Sequence, residues 1–390
     1  MTRWSRREYL TYSLACSMGT AALAGSGVLS PALAGAAEAS SLAALAAEKG
    51  VRFGTAMAAY QVDDPRYVEI VLNECNTIVA ENEHKWYTIH PQPDVWNFGP
   101  GDKLVNFAKA NNLMMRGHTL IWHHPQWFPD WVNNKQFANA AEAEAMLDDY
   151  IDRVATHYSP YLYSWDVVNE TIDPETGALR ETSFSRAMGP EVIDYCFHRA
   201  REHAPNATLA YNDYMSWESG HEKHRTGVLK LLERLVANGA PIQALGIQSH
   251  SNDNNPDEFT ADKQRTWRAF VEEAIGMGLE IYITEFDVND TEMDPDPQLR
   301  DEIMAAYTKD YFDLMLSYEA TKEILIWGMV DKYSWLQGFK PREDGVAKRP
   351  TLYDADYKAK AMRDAVGQSL KAAPVRDPGK ADPIRGKIEG

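Results

Sequence analysis

Eight short apolar runs of β-strand type alternate with stretches of helical periodicity between residues 51 and 331. This alternation constrains the fold strongly, because parallel strands need long crossover connections and are covered by helices. The predicted strands are Val51–Met57, Cys75–Asn82, Met114–Trp122, Leu162–Glu170, Ala207–Asp213, Ala244–His250, Glu280–Val288 and Glu323–Asp331. Eight βα units over about 320 residues are typical of a single-domain (β/α)8 barrel of the TIM type, the α/β fold that we predict.

The stretches between these strands predict amphipathic helices. Examples are Val105–Asn111, Tyr195–His203, Val228–Ala237 and Trp267–Ile275, with Thr260 or Asp262 as the N-cap of the last. A doubly wound open sheet is the structural alternative. It would normally carry a glycine-rich phosphate turn after the first strand, and Gly54-Thr55-Ala56-Met57 does not match that pattern.

Residues 1–34 predict an export signal. Arg6 and Arg7 precede an apolar stretch rich in Ala, Gly and Ser that ends at Ala34, which resembles a twin-arginine signal peptide. A membrane anchor is the alternative, but the segment is short and interrupted by glycine. We therefore expect export to the periplasm or the extracellular space, with no stable membrane association after cleavage.

The remaining chain predicts one catalytic domain over residues 40–370 and a flexible tail over residues 371–390, which is rich in Pro, Gly, Lys and Asp. We expect a monomer. The formal charge of −18, from 39 basic and 57 acidic residues, argues against nucleic acid as a partner. Three cysteines are too few for a disulfide scaffold or an iron–sulfur cluster. Cys75 and Cys196 could pair in an oxidising compartment, but each lies in an apolar pattern, so we favour no disulfide.

Polar and aromatic side chains follow the apolar body of most predicted strands, where the catalytic residues of this fold lie. In strand order they are Glu81, Asn82 and Lys85; His118 and Trp122; Asn169 and Glu170; Asn212 and Tyr214; Gln248 and His250; Glu285 and Asp287; and Trp327 and Trp335. Strands four and seven lie on opposite sides of an eight-stranded mouth, so Glu170 and Glu285 can face each other. Two opposed carboxylates suit cleavage of a glycosidic bond, and aromatic rings suit the apolar faces of sugars.

These strand ends carry motifs that resemble glycoside hydrolase family 10, the retaining endo-β-1,4-xylanases. In chain order the motifs are Glu81-Asn82-Glu83-His84-Lys85-Trp86, Arg116-Gly117-His118-Thr119-Leu120-Ile121-Trp122-His123, Trp165-Asp166-Val167-Val168-Asn169-Glu170, Asn212-Asp213-Tyr214, Gly246-Ile247-Gln248-Ser249-His250, Ile283-Thr284-Glu285-Phe286-Asp287 and Trp327-Gly328-Met329-Val330-Asp331-Lys332-Tyr333-Ser334-Trp335. Each motif alone is weak, but seven in family order across residues 51 to 367 are specific.

The resemblance implies a role for each of these residues. Glu170 would be the general acid/base, Glu285 the nucleophile, and Asn169 a partner of the sugar 2-hydroxyl. His250 and Asp287 would tune the nucleophile, and Gln248 would lie beside it. Asn212 and Tyr214 would lie toward the leaving group. The subsites for the non-reducing portion, or glycone, would be lined by Glu81, Asn82, Lys85, His118, Trp122, Trp327 and Trp335. The substrate implied is β-1,4-xylan or xylo-oligosaccharide, with no cofactor or metal.

One segment departs from the family pattern, which usually has Ser or Asn and then Gln after the histidine that ends strand three. Here His123 is followed by His124-Pro125-Gln126, so either Gln126 replaces that glutamine from a shifted position or the contact is lost.

Two other functions remain as alternatives. A metal-dependent barrel hydrolase is one, but neither His123-His124 nor His221-Glu222-Lys223-His224 has the His-Glu-x-x-His spacing. The other is a sugar-binding protein without hydrolysis, which predicts the loss of one of the two carboxylates.

Overall fold

The barrel is closed by eight parallel strands in a computed structural model that describes residues 40–251 and 259–379. The predicted signal peptide over residues 1–34 lies outside the described residues. The strands are β1 (Arg52–Met57), β2 (Thr77–Ala80), β3 (Met114–Gly117), β4 (Ser164–Asn169), β5 (Thr208–Asp213), β6 (Ala244–Ile247), β7 (Glu280–Val288) and β8 (Thr321–Ile326). Each strand pairs with the next, and β8 pairs with β1 from Arg52 opposite Glu323 to Thr55 opposite Ile326. The predicted α/β fold, a (β/α)8 barrel, is confirmed.

Helices cover the outside of these strands and shorter ones lie in the loops above them. They are α1 (Leu42–Ala47), α2 (Pro65–Glu74), α3 (Trp86–Ile89), α4 (Gly99–Ala110), α5 (Asp130–Asn133), α6 (Ala140–Tyr158), α7 (Ser183–Met188), α8 (Glu191–His203), α9 (Glu222–Ala237), α10 (Ala261–Gly276), α11 (Pro297–Leu316) and α12 (Ala361–Ala372). Single 3-10 turns occupy Ala59–Asp63, Asp331–Tyr333 and Trp335–Gln337. Thr260 caps α10, with its side chain accepting from the Lys263 backbone N–H, as one of the two predicted alternatives.

All eight predicted strands are present, but several end earlier than predicted. The third strand pauses after Gly117 and resumes as Ile121–Trp122, and the sixth pauses after Ile247 and resumes as His250–Ser251. The eighth ends at Ile326. Leu120, Met329 and Val330 in these extensions lie outside the strands but belong to the main buried core, and the sequence pattern alone does not separate these two environments.

The lower half of the barrel interior is ionic rather than purely apolar. Arg52 pairs with Glu323 at 2.9 Å, and the Arg116 Nε lies 3.2 Å from the other Glu323 oxygen. Arg116 also forms a bidentate pair with Asp166. All four side chains are buried, and removal of one partner would leave an uncompensated charge. These pairs join β1, β3, β4 and β8 from the inside.

The first part of the predicted flexible tail is packed, which corrects that prediction for residues 371–379. Helix α12 continues to Ala372, and the buried Arg376 guanidinium donates to the carbonyls of Leu316, Tyr318 and Thr321. Arg52 donates to the Pro378 carbonyl at 3.0 Å. Hydrogen bonds between charged side chains and backbone carbonyls hold this segment in place, without a periodic apolar face. Residues 380–390 lie outside the described residues.

Cys75 and Cys196 are both buried and unpaired, as predicted. Burial raises the pKa of both thiols, so neither is a reactive thiolate at neutral pH. Among the helices of the described residues, none has the length and apolar content needed to span a bilayer.

Candidate active site

Glu170 follows the last residue of β4 and has a left-handed backbone, with φ of +53°. This conformation is unfavourable for a long side chain and is retained where the surroundings hold it. Here the Glu170 backbone N–H donates to the Asn212 carbonyl at 3.0 Å, and the Glu170 carbonyl accepts from Arg180 Nε at 3.0 Å. The turn directs the carboxyl group over the barrel mouth instead of along the strand.

The Glu170 carboxyl group is held by two amides. Its Oε1 accepts from Gln248 Nε2 at 2.9 Å and from Asn169 Nδ2 at 3.3 Å. Burial raises the pKa of Glu170 to about 7, with repulsion from Asp213 and Glu285 adding to burial and the Gln248 hydrogen bond opposing it. A carboxyl group with this pKa can hold a proton near neutral pH and give it up.

Glu285 projects from β7 and is almost completely buried, with 5% of its surface exposed. Its Oε1 accepts from Asn212 Nδ2 at 2.8 Å, and its Oε2 accepts from His250 Nε2 at 3.3 Å. His118 Nε2 lies 3.8 Å from Oε1. Each carboxylate oxygen of Glu285 is therefore held by a neighbouring side chain, Oε1 by Asn212 and Oε2 by His250.

The electrostatic surroundings of Glu285 favour its ionised form. Burial alone would raise its pKa, but the neighbouring His118 and His250 imidazoles and the Lys85 ammonium outweigh burial and lower it to about 2. Burial would also lower the pKa of His250, yet its contacts with Asp287 and Glu285 raise it to about 10. His250 is thus an imidazolium that donates from Nδ1 to Asp287 at 2.8 Å and from Nε2 to Glu285.

A chain of amide side chains connects the two carboxylates. Gln248 Nε2 donates to Asn169 Oδ1 at 3.2 Å as well as to Glu170, and Asn212 Nδ2 donates to Asn169 Oδ1 at 2.9 Å as well as to Glu285. Asn169 and Asn212 are paired in register on β4 and β5. The two carboxylates therefore share one rim and one hydrogen-bonded network, as the sequence predicted for opposed strand ends.

Three tryptophans and one lysine lie around this pair. Trp327 meets the rings of His118 and His250 edge to face at 5.4 and 6.3 Å, and Trp335 donates from Nε1 to Asp287 Oδ2 at 2.8 Å. Lys85 Nζ lies 4.6 Å from the centre of the Trp122 ring. The structure thus groups Trp122, Trp327 and Trp335 with the two carboxylates.

Glu81, Asn82 and Lys85 form a polar group beside these rings. Lys85 Nζ donates to Asn82 Oδ1 at 3.2 Å, and Asn82 Nδ2 lies 3.4 Å from Glu81 Oε1. Burial raises the pKa of Glu81 and lowers the pKa of Lys85. The buried Lys85, the partly buried Glu81 and the Asn82 amide can offer donors and acceptors to sugar hydroxyls.

The family model for glycosyl hydrolase family 10 matches residues 41–369. The chain belongs to this family. It is 31% identical to endo-1,4-beta-xylanase B of Thermotoga neapolitana, over 79% of the chain and 86% of that protein, and 33% identical to the beta-1,4-xylanase of Dictyoglomus thermophilum, over 75% and 82%. It is therefore a glycoside hydrolase.

Solved structures of family members have the same fold. The native xylanase 10B of Thermotoga maritima matches with a TM-score of 0.76 and 32% identity, over 85% of this chain and 98% of that one. The xylanase 10B of Thermotoga petrophila in complex with xylobiose matches with a TM-score of 0.73 and 32% identity, over 89% and 99%.

One predicted position in this family 10 enzyme needs correction. Asn212 does not lie toward the leaving group but is fully buried beneath Glu285 and Asn169. Gln248 does lie beside Glu285, because its backbone carbonyl accepts from the Glu285 N–H at 2.9 Å, and its side chain donates to Glu170. Tyr214 lies on the Glu170 side, where its hydroxyl accepts from Arg180 at 2.7 Å.

Three residues of the site were not singled out from the sequence. Asp166 accepts from His118 Nδ1 at 2.8 Å and thereby turns His118 Nε2 toward Glu285. Arg180 binds both Glu170 and Tyr214. Trp127 stacks on Trp122, whereas Gln126 is exposed and only its backbone N–H is engaged, with the His124 ring. Asp166 lies in the strand-four motif, but a register shift between Asp166 and Val168 breaks the alternation that would have predicted its inward direction.

The histidine pairs considered for a metal have other partners in the family 10 enzyme. His123 shares its ring nitrogens with the hydroxyls of Thr171 and Thr182, both at 3.0 Å, and His224 Nε2 lies 3.0 Å from Asp213. Among residues 40–251 and 259–379, no group of three or more His, Cys, Asp or Glu side chains is arranged to hold a metal ion.

Proposed function

We propose that this family 10 enzyme is a retaining endo-1,4-β-xylanase that cleaves internal β-1,4-xylosidic bonds of xylan or xylo-oligosaccharides by double displacement. The observation that carries the proposal is that the surroundings of two carboxylates on one rim shift their pKa values in opposite directions. Glu285 is bound by Asn212 and His250 in its ionised form, and Glu170 is partly buried with a pKa of about 7. This division is what an acid and a nucleophile need at the same pH.

In the first step Glu285 attacks the anomeric carbon as the bond to the leaving oxygen breaks and Glu170 transfers its proton to that oxygen. The bound sugar becomes an ester of Glu285. Asn169 would hydrogen-bond the sugar 2-hydroxyl as positive charge develops on the ring. We expect a separation of about 5–5.5 Å between the two carboxyl groups in the Michaelis complex.

In the second step water attacks the same carbon and displaces Glu285. Glu170, ionised by the first step, takes the proton from that water and is restored to its acid form. Two inversions at one carbon give a product with the β-configuration of the substrate. Asp287 orients His250, and His250 holds Glu285 Oε2 before substrate binds.

The choice of xylose follows from the names of the relatives and from the rings around the site. The Thermotoga and Dictyoglomus relatives are xylanases, and the Thermotoga petrophila structure holds xylobiose. Trp327 contacts His118, and Trp335 contacts His250 and Asp287. Tryptophan rings held in this way would exclude the hydroxymethyl arm of a glucose unit, which xylose lacks. The remaining glycone contacts come from Glu81, Asn82, Lys85 and Trp122.

The proposal is tested with the purified chain on xylan, xylo-oligosaccharides and cello-oligosaccharides. We expect internal cleavage of xylan and of xylohexaose, with the new reducing end in the β-form in the first proton NMR spectra. A product that starts in the α-form would contradict double displacement. Release of xylose units from chain ends only would contradict endo-action, and cleavage of cello-oligosaccharides at a comparable rate would contradict the assigned substrate.

We also propose that the chain is exported by residues 1–34 and acts as a monomeric domain over residues 40–370. The support is the Arg6-Arg7 pair ahead of an apolar stretch that ends at Ala34. Replacement of both arginines by lysine should keep the activity in the cytoplasm, whereas export of the variant at the wild-type level would refute a twin-arginine route.

A further inference from the structure

Trp127 presents a ring to solvent beside the site. It is 38% exposed, and its ring lies 4.8 Å from the Trp122 ring with an angle of 21° between the planes. Single exposed apolar residues are ordinary on protein surfaces. Trp127 differs because one face is stacked on a ring that itself lies beside Glu170, which fixes its orientation without covering it.

The position of Trp127 relative to Glu170 follows from the strand register. Trp122 pairs with Asn169, the residue before Glu170, so the chain that continues to Trp127 rises next to the acid/base. This continuation is where the sequence departs from the family pattern. The departure therefore places an aromatic ring at the mouth of the site.

His124 shows which side of Glu170 this segment faces. Its Nδ1 accepts from the Gln126 backbone N–H at 3.1 Å, and its ring lies 6.5 Å from that of Trp127. Burial and then the charge of Arg180 lower the pKa of His124 to about 4. Arg180 in turn donates to the Glu170 carbonyl and the Tyr214 hydroxyl. The His124 end of this segment therefore lies near Arg180, the residue that contacts Glu170 and Tyr214.

We propose that Trp127 is a stacking platform for a xylose unit on the leaving-group side of the cleaved bond, and that it sets a preference for longer substrates. This inference rests on the proposed xylanase function. An aromatic face packs on the apolar face of a sugar ring, and a ring already held by Trp122 loses little freedom when the sugar binds. Trp127 would then act in binding, and Glu170 and Glu285 would perform the chemistry alone.

The test compares a substrate that places sugars on the leaving-group side with one that does not. Xylohexaose places sugars there, whereas β-xylobiosyl fluoride has a leaving group of one atom. For Trp127→Ala we expect the ratio of kcat/KM on xylohexaose to kcat/KM on the fluoride to fall about fivefold, as for loss of one aromatic contact. Trp127→Phe, which retains a ring, should restore most of this ratio.

Leu72→Ala is the matched control, because Leu72 is 39% exposed on the outer helix α2 and should leave the ratio unchanged. An equal loss on both substrates would overturn the proposal, since it would mean that Trp127 only supports Trp122. An unchanged ratio with both activities intact would also overturn it. Failure of the wild-type chain to cleave either substrate would instead contradict the proposed function.

Discussion

Asn212 holds the nucleophile and its neighbour with one amide group. Its Nδ2 donates to Glu285 Oε1 at 2.8 Å and to Asn169 Oδ1 at 2.9 Å, and its Oδ1 accepts from the Thr284 hydroxyl at 2.7 Å. Gly246 makes this possible, because a Cβ at that position would lie 2.3 Å from Asn212 Oδ1. The amide is fully satisfied inside the barrel, so it orients Glu285 before any substrate arrives.

Asn212→Ala should lower kcat/KM on xylo-oligosaccharides by about 10- to 100-fold, because a hydrogen bond to a buried charged group is worth roughly 1.5–3 kcal/mol. The lost donor also removes stabilisation of ionised Glu285, so the acidic limb of the pH profile should move to higher pH. Steady-state kinetics extended to strongly acidic pH measures both effects. A variant with wild-type kcat/KM and an unmoved acidic limb would show that Asn212 does not support the nucleophile.

Glu285→Ala should abolish turnover of every glycoside while leaving the circular dichroism spectrum unchanged. The side chain that forms the glycosyl ester is lost, and no other carboxylate replaces it at the anomeric carbon. Added azide should restore cleavage of an activated substrate with inversion, since the small anion fits the space that the carboxylate leaves. Restored cleavage with retention would contradict the nucleophile assignment.

Glu170→Ala should separate substrates by their leaving groups. Natural xylo-oligosaccharides need protonation of the leaving oxygen and should lose about 10²–10⁴-fold in kcat/KM. Aryl xylobiosides with acidic leaving groups need no proton in the first step, so the Glu285 ester should form rapidly and accumulate as a burst. Equal losses for both substrate types would exclude Glu170 as the acid.

The pH dependence of kcat/KM should follow the two carboxylates. Glu170 must be protonated, and its pKa of about 7 predicts activity that falls as pH rises, to about one tenth at pH 8. Glu285 must be ionised, and its pKa of about 2 predicts no loss from this group until strongly acidic pH. In Glu170→Ala the alkaline limb should disappear for activated substrates. An alkaline limb that persists in that variant would assign it to another group.

The barrel and the two catalytic strand ends could be predicted because they follow from local patterns. Apolar runs mark the strands, and the fold places Glu170 and Glu285 on one rim. The amide contacts could not be predicted in the same way. Asn212 reaches Glu285 across the missing side chain of Gly246, and Gln248 turns toward Glu170 after β6 ends, so both contacts depend on register and packing between distant strands.

The end of the chain was mispredicted for a related reason. Residues 373–379 resemble a solvated tail in composition, yet Arg376 binds three backbone carbonyls left at the end of α11 and the start of β8. Their availability depends on where those two elements end, and a periodicity analysis does not identify it. Composition predicts order well only where order comes from apolar burial.

A buried ion pair joins the two ends of the catalytic domain and gives the last prediction. Glu74 on α2 accepts from Arg363 of α12 at 3.0 Å, from the Leu42 backbone N–H at 2.8 Å and from the Tyr353 hydroxyl at 2.6 Å. Glu74→Ala should lower the free energy of unfolding by about 3–5 kcal/mol, because Arg363 is left buried without its partner. Urea denaturation at pH 7 measures this loss, and kcat of the folded enzyme should stay unchanged because Glu74 is at the end of α2 that precedes β2.

Asp149→Ala is the control, since Asp149 and Arg153 pair at 2.8 Å with side chains 55% and 54% exposed and should contribute about 0.5 kcal/mol or less. Equal losses for the two variants would show that the Glu74 contacts do not hold the ends of the domain together.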